Sequence, residues 1–215
     1  MLFRSIYISR WKVIPRELSR KLRTGRPIRK NKRNTVKGQW RSQITGARPI
    51  EERSAEAAER LALGHLEGDL IVGAKNSQIA TLVERQTRYV MMAKVNSKDT
   101  ETVINALVKH AHQLPRELYA SLTWDRGKEM ADHRRFTLAT DIKVYFCDPQ
   151  NPWQRGSNEN TNGLLRQYFP KGTDLSVHSQ AKLNAVARQL NERPRKTLNF
   201  QTPAQRFSQC VASIG

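Results

Sequence analysis

The spacing of the apolar residues changes twice along this chain, and that change constrains the fold more than any other feature. Between positions 64 and 95 three short runs, GHLEGDLIVG, QIATLVER and YVMMAKV, are separated by AKNS and QTR. Runs of that length divided by turn-forming residues predict an antiparallel meander. Over 98–113 the period lengthens: Val103, Ile104, Leu107, Val108 and Ala111 share one face of a helix, with Ser97 as the expected N-cap. Short strands are expected at 121–124 and 143–146, with a helix at 128–139 between them. A Pro-, Asn- and Gly-rich loop follows at 148–158, then a helix at 160–169 stopped by Pro170 and Gly172, then a last helix at 179–192. The order β-β-β-α-β-α-β-α-α predicts an α/β fold, a mixed five-stranded sheet flanked by helices.

Charge divides the chain differently. The formal net charge is +19, and residues 1–50 hold 15 basic residues against the single acid Glu17. That segment reads as a basic arm, with a short helix around 16–22 and a strap running through Arg26, Arg29, Lys30, Lys32 and Arg33. Such a strap suits a polyanion, nucleic acid first and an anionic membrane surface second. Trp11 and Trp40 either stack on bases or pack onto the following domain. Residues 51–63 (EERSAEAAERLAL) read as a linker helix, 64–207 as the core and 208–215 as a tail. Hydrophobic residues make up 38%, enough for a core, yet no run reaches the ~18 apolar residues of a membrane span. The start, MLFRSIYISR, lacks a secretory apolar stretch. Cys147 and Cys210 form no CxxC, so neither a thiolate zinc site nor a disulfide framework is expected. The expected location is cytoplasmic and nucleoid-associated.

Three acids stand in unusual places. Asp69 lies mid-strand, where Asp is disfavoured, and alternation puts His65, Glu67, Asp69 and Ile71 on one face. That face is either solvated, paired with an arginine, or metal-binding. Asp125 follows the strand SLTW, at the strand end where α/β sheets build their sites; a turn or N-cap Asp would look the same. Glu159 sits near the start of a helix and off its apolar stripe, as an ordinary first-turn acid also would. Two strand carboxylates and one helix carboxylate can converge on two divalent cations. Oxygen ligands suit Mg²⁺ or Mn²⁺, and two such ions drive phosphoryl transfer.

The spacing Asp125–x33–Glu159 resembles the DDE motif of transposases and retroviral-type integrases. The words GHLEGDL, TLVERQTRY, LTWDRGKEMADH, NPWQRGSNENTNGLLRQYFPKGTD and LNERPRKTLNFQTPAQRF together resemble the insertion sequence thirty (IS thirty) family of bacterial transposases. IPRELSRKLRTGRP resembles the basic linker of those enzymes. The resemblance implies an RNase H-like integrase catalytic core, whose element order matches the one above. It implies that Asp69, Asp125 and Glu159 are the catalytic and metal-binding triad, holding two Mg²⁺ or Mn²⁺ ions. The implied reaction is cleavage at the element's 3′ ends, then attack of the freed 3′-OH on target DNA, by at least a dimer. Lys128, His133, Arg155 and Asn158 are candidates to contact DNA or orient ligands. Glu67, Glu129, Asp132 and Asp148 are not selected by the motifs. Where the family has Trp, Leu66 stands.

Family members also carry an N-terminal helix-turn-helix region, and residues 1–50 do not read as one. The expectation is therefore a truncated transposase. Its rival is a non-catalytic DNA-binding remnant, or an inhibitor of the full-length enzyme. A basic RNA- or ribosome-associated protein is a further class that the arm permits.

Overall fold

The computed structural model describes residues 44–112, 118–148 and 151–213. The expected arm contacts Arg26, Arg29, Lys30, Lys32 and Arg33, the helix around 16–22, Trp11 and Trp40 lie outside the described residues.

Among the described residues six strands form one mixed sheet: β1 (Arg48–Pro49), β2 (His65–Val72), β3 (Gln78–Glu84), β4 (Val90–Val95), β5 (Ser121–Trp124) and β6 (Lys143–Phe146). Their order is β1-β6-β5-β2-β3-β4. β2, β3 and β4 form the antiparallel meander, while β5, β6 and β1 add in parallel. The expected five strands are all present. The sixth, β1, is too short to leave a period in the sequence, so the sheet has one strand more than the pattern predicts. Among the described residues six α-helices accompany it: α1 (Ala55–Glu59), α2 (Thr100–Ala111), α3 (His133–Thr140), α4 (Gly156–Leu165), α5 (Gln180–Asn191) and α6 (Pro203–Ala212).

Alternation along the strands feeds two apolar layers. Leu66, Ala80, Leu82, Leu122 and Trp124 join Val103, Ile104, Leu107 and Phe136 of α2 and α3 on one face. Ile71, Ile79, Val83, Val90 and Met92 meet Leu164, Leu165, Leu183, Val186 and Leu190 of α4 and α5 on the other. Gly68 belongs to the first face, where a methyl group would overlap the Trp124 indole. Among the described residues no helix is long and apolar enough to cross a membrane.

Four local expectations shift, each for a stated reason. α2 is capped by Asp99 rather than Ser97, because the Asp99 carboxylate accepts the Thr102 N–H at 2.8 Å. The 128–139 helix divides into a 3-10 turn (Lys128–Met130) and α3, with Glu129 turned inward to accept the Trp124 indole N–H at 3.3 Å. α4 begins at Gly156 instead of 160, because a carboxylate from β2 accepts the Asn158 N–H. α6 was not expected at all, although Thr202 and Gln205 form a capping box with Pro203 as the first helical residue.

Candidate active site

The acids meet because of a strand register. β2 and β5 are parallel, with Leu66 opposite Leu122 and Glu67 opposite Thr123. Two residues further on, the same register sets Asp69 beside Asp125, just past the end of β5. Neighbouring strands lie about 4.8 Å apart, so side-by-side carboxylates must repel unless a cation lies between them.

That cation is a guanidinium. Arg155 ends a 3-10 turn (Pro152–Arg155) and is 7% exposed. Its Nη1 lies 3.5 Å from Asp69 Oδ1 and its Nη2 lies 3.5 Å from Asp125 Oδ2. Nη1 also donates to the Gly68 carbonyl at 2.8 Å. Asp69 Oδ1 accepts the Leu70 N–H at 2.9 Å and Oδ2 accepts the Asn162 amide at 3.0 Å. Asp125 Oδ1 accepts the Gly127 N–H at 3.0 Å, an Asx turn that aims the carboxylate back over the strand end.

Glu159 lies in the first turn of α4 and is exposed. Burial pushes its carboxyl above the ordinary range; Arg155 opposes this, and Asp69 and Glu67 add to it. Asp69 is likewise raised, by burial first, with Arg155 opposing and Asp125 adding. Asp69 is thus coupled electrostatically to Asp125 on one side and to Glu159 on the other. Burial works against the charge on Arg155, but Asp69 and Asp125 outweigh it and hold the guanidinium above its ordinary value.

The donor set fits a hard divalent cation, since Asp69 and Asp125 are oxygen donors already sharing one positive group. Among the described residues no three His, Cys, Asp or Glu side chains stand close enough to ligate a single ion. Glu159 must therefore approach the other two for a three-carboxylate shell.

A second acid cluster lies on the same face of β2. Glu67 is fully buried, and its Oε1 accepts Arg85 Nη1 at 2.5 Å and the Ser157 hydroxyl at 3.3 Å. Its Oε2 accepts the Asn158 N–H at 2.9 Å, which fixes where α4 begins. Arg85 also donates to the carbonyls of Ala57 and Ala58, both on α1, at 3.0 Å and 3.1 Å. Burial pulls the Arg85 guanidinium down to about 10, with Glu67 pushing back.

The remaining candidates fall in different places. Lys128 is exposed and near the Asp125 turn. Asn158, expected at a DNA contact, is instead fully buried: its amide donates to the carbonyls of Glu67 and Thr81 at 2.7 Å and 3.2 Å. His133 is buried and packs against Phe146, with ring centroids 5.0 Å apart. Arg155 faces the two aspartates rather than the outside. Glu129 is a buried acceptor for Trp124, Asp132 is an exposed residue ahead of α3, and Asp148 is held by Gln154 at 2.8 Å. Sequence reasoning did not single out Arg85, Thr81 or Asn162. Alternation placed Glu67 beside Asp69, but nothing local revealed its partner.

Residues 59–152 match the integrase core domain family, which sets the class of protein. The chain is 53% identical over 192 residues to the transposase InsI for insertion sequence element IS30A of Escherichia coli (strain K12), covering 89% of this chain and 50% of that protein. It is 49% identical over 174 residues to the transposase for insertion sequence element IS1086 of Cupriavidus metallidurans, covering 80% and 51%. It is 37% identical over 176 residues to the transposase for insertion sequence element IS4351 of Bacteroides fragilis, covering 81% and 54%. These matches support an IS30-family transposase catalytic region of the integrase type in this chain. It spans about half the length of the curated relatives it matches.

Proposed function

We propose that this chain carries out divalent-metal-dependent phosphoryl transfer on DNA, cutting the 3′ ends of an insertion element and joining them to target DNA. The observation that carries the reading is the β2–β5 register, which brings Asp69 beside Asp125, with Glu159 in the field of Asp69. Asp69 and Asp125 would bridge or bind the two Mg²⁺ or Mn²⁺ ions, and Glu159 would complete the second ion's shell. When bound, the ions supply activation of the attacking oxygen and stabilisation of the leaving oxygen.

The protein's own groups hold this geometry. The Asn162 amide and the Leu70 N–H orient the Asp69 carboxylate, and the Gly127 N–H orients Asp125. Glu67 anchors the first turn of α4 and so sets the position of Glu159. Attack is in-line at phosphorus: first by water at the element's 3′ end, then by the freed 3′-OH on the target strand. No covalent enzyme intermediate is required. Residues 1–50 would supply the phosphate contacts, through counterion release, and two copies would act together on two ends.

The test is nicking and strand transfer on a labelled duplex with a pre-cut 3′-OH, with Mn²⁺ or Mg²⁺. Wild type should join ends only with metal, and Asp125→Ala should lose joining by at least ~100-fold while binding DNA as before. Near-normal joining by Glu159→Ala would remove Glu159 from the assignment. A folded, DNA-binding but inactive wild-type chain would support the non-catalytic reading instead. DNA affinity that stays flat with salt would sink the role given to the arm.

A further inference from the structure

We propose that the Arg155 guanidinium competes with the divalent cation for the Asp69 and Asp125 carboxylates, so that metal loading requires Arg155 to leave the site. The inference rests on the reading above that these two aspartates ligate metal. The argument begins from distances. Arg155 sets one nitrogen against each carboxylate. Mg²⁺ would have to approach those oxygens to about 2.0–2.1 Å. A guanidinium and a doubly charged ion cannot both stand between the same two aspartates, for steric reasons and because like charges repel.

The contacts that metal must break are the loose ones. Arg155 lies 3.5 Å from both carboxylates, well beyond the ~2.7–2.9 Å of a close charge-assisted bond. Its short contact, at 2.8 Å, goes to the neutral Gly68 carbonyl. The carboxylates keep their orientation without it: Asp69 retains Leu70 and Asn162, and Asp125 retains Gly127.

There is also somewhere for the side chain to go. Arg155 ends the 3-10 turn, and beside the next residue, Gly156, no atom of the described residues beyond its chain neighbours and its own helix backbone lies within 4 Å of where a Cβ would stand. Trp153 on the same turn is 70% exposed, so the outer side of the turn meets solvent. Arg155 thus acts as a built-in counter-charge. It holds two repelling acids side by side at low cation concentration and sets the concentration at which metal takes over.

The experiment is a titration of the full chain with Mn²⁺ alone, following free Mn²⁺ by electron paramagnetic resonance, beside thermal unfolding of each protein. Arg155→Gln should bind Mn²⁺ at least tenfold more tightly than wild type. Its unfolding midpoint should lie lower without metal and rise more on adding it. Arg155→Lys keeps a charge but cannot bridge two carboxylates with a planar fork, so it should bind Mn²⁺ more tightly than wild type by a smaller factor. It decides the matter if the glutamine variant does not fold. Adding Asp125→Asn to either variant should abolish the gain. Equal or weaker Mn²⁺ binding by the folded variants would overturn the competition while leaving the metal site standing. No Mn²⁺ binding by wild type or either variant would overturn the metal-site reading as well.

Discussion

Two acid–arginine clusters share one face of β2, two residues apart, and they are built to opposite ends. Around Glu67 the cluster is saturated: one carboxylate has its own arginine at 2.5 Å, a backbone N–H and a hydroxyl, all out of reach of water. Around Asp69 the contacts are longer and the acids more open. Two carboxylates share one guanidinium at 3.5 Å each, and both acids are about a quarter exposed. A saturated cluster has nothing left to bind with, so it can only hold structure. A loosely held, partly exposed one leaves carboxylate oxygens within reach of a cation. The difference explains why an acid that the family motif does not select is the more deeply embedded of the two.

The sharpest way to break this comparison is to truncate each cluster in turn. Glu67→Ala leaves Arg85 buried without an anion and unpins the start of α4, and should cost about 3–5 kcal/mol in urea unfolding. Asp125→Asn at the open cluster should cost less than about 1 kcal/mol in the same assay, because a partly exposed, loosely held pair contributes little. Similar losses for the two would end the distinction.

Gly68 lies between the clusters and faces the opposite layer. Gly68→Ala would press on the fully buried Trp124 and should cost about 1–3 kcal/mol through overpacking. If the strand shifts to relieve that pressure, the Gly68 carbonyl moves and with it the anchor of Arg155. Mn²⁺ affinity should then change in Gly68→Ala but stay near that of wild type in a Leu107→Val control, measured by the same titration.

The smallest effect concerns pH. Burial lowers the His110 imidazole from its ordinary 6.5; it does the same for His65, helped by Arg85 and Arg53, and for His133, helped by Arg134. A depressed folded value means that the unfolded chain takes up these protons first. The stability they contribute is present above pH 6.5 and is lost as pH falls from there through the lower folded values. Glu84, raised by burial, contributes the other way, losing stability as pH rises through its folded value. The thermal midpoint should fall modestly between about pH 7 and pH 5, and His110→Leu should flatten part of that fall. An unchanged slope in His110→Leu would show that His110 does not carry it.

Much of this architecture was legible because it is local. The strands at 121–124 and 143–146 match the sequence reading residue for residue, since each is a short apolar run closed by turn residues. α5 starts one residue after the expected 179, because the Ser179 side chain caps it. The start of α4 was misplaced by four residues because its first turn is anchored by Glu67, 91 positions away from Asn158. β1 was missed because two residues carry no period, and α6 because the box at Thr202 and Gln205 was read only as part of a motif.

The candidate site divides the same way. Sequence alone fixed the face on which Glu67 and Asp69 lie, because side chains alternate with a period of two along any strand. It also fixed Asp125 at a strand end and Glu159 in a helix's first turn, and the family motif joined the three. Only the tertiary structure decided that Glu67 receives an arginine of its own while Asp69 and Asp125 divide one between them. Pairing and desolvation depend on which distant elements arrive at a strand, and β3, β5 and the turn before α4 bring those partners from 18, 56 and 86 residues beyond the two acids of β2.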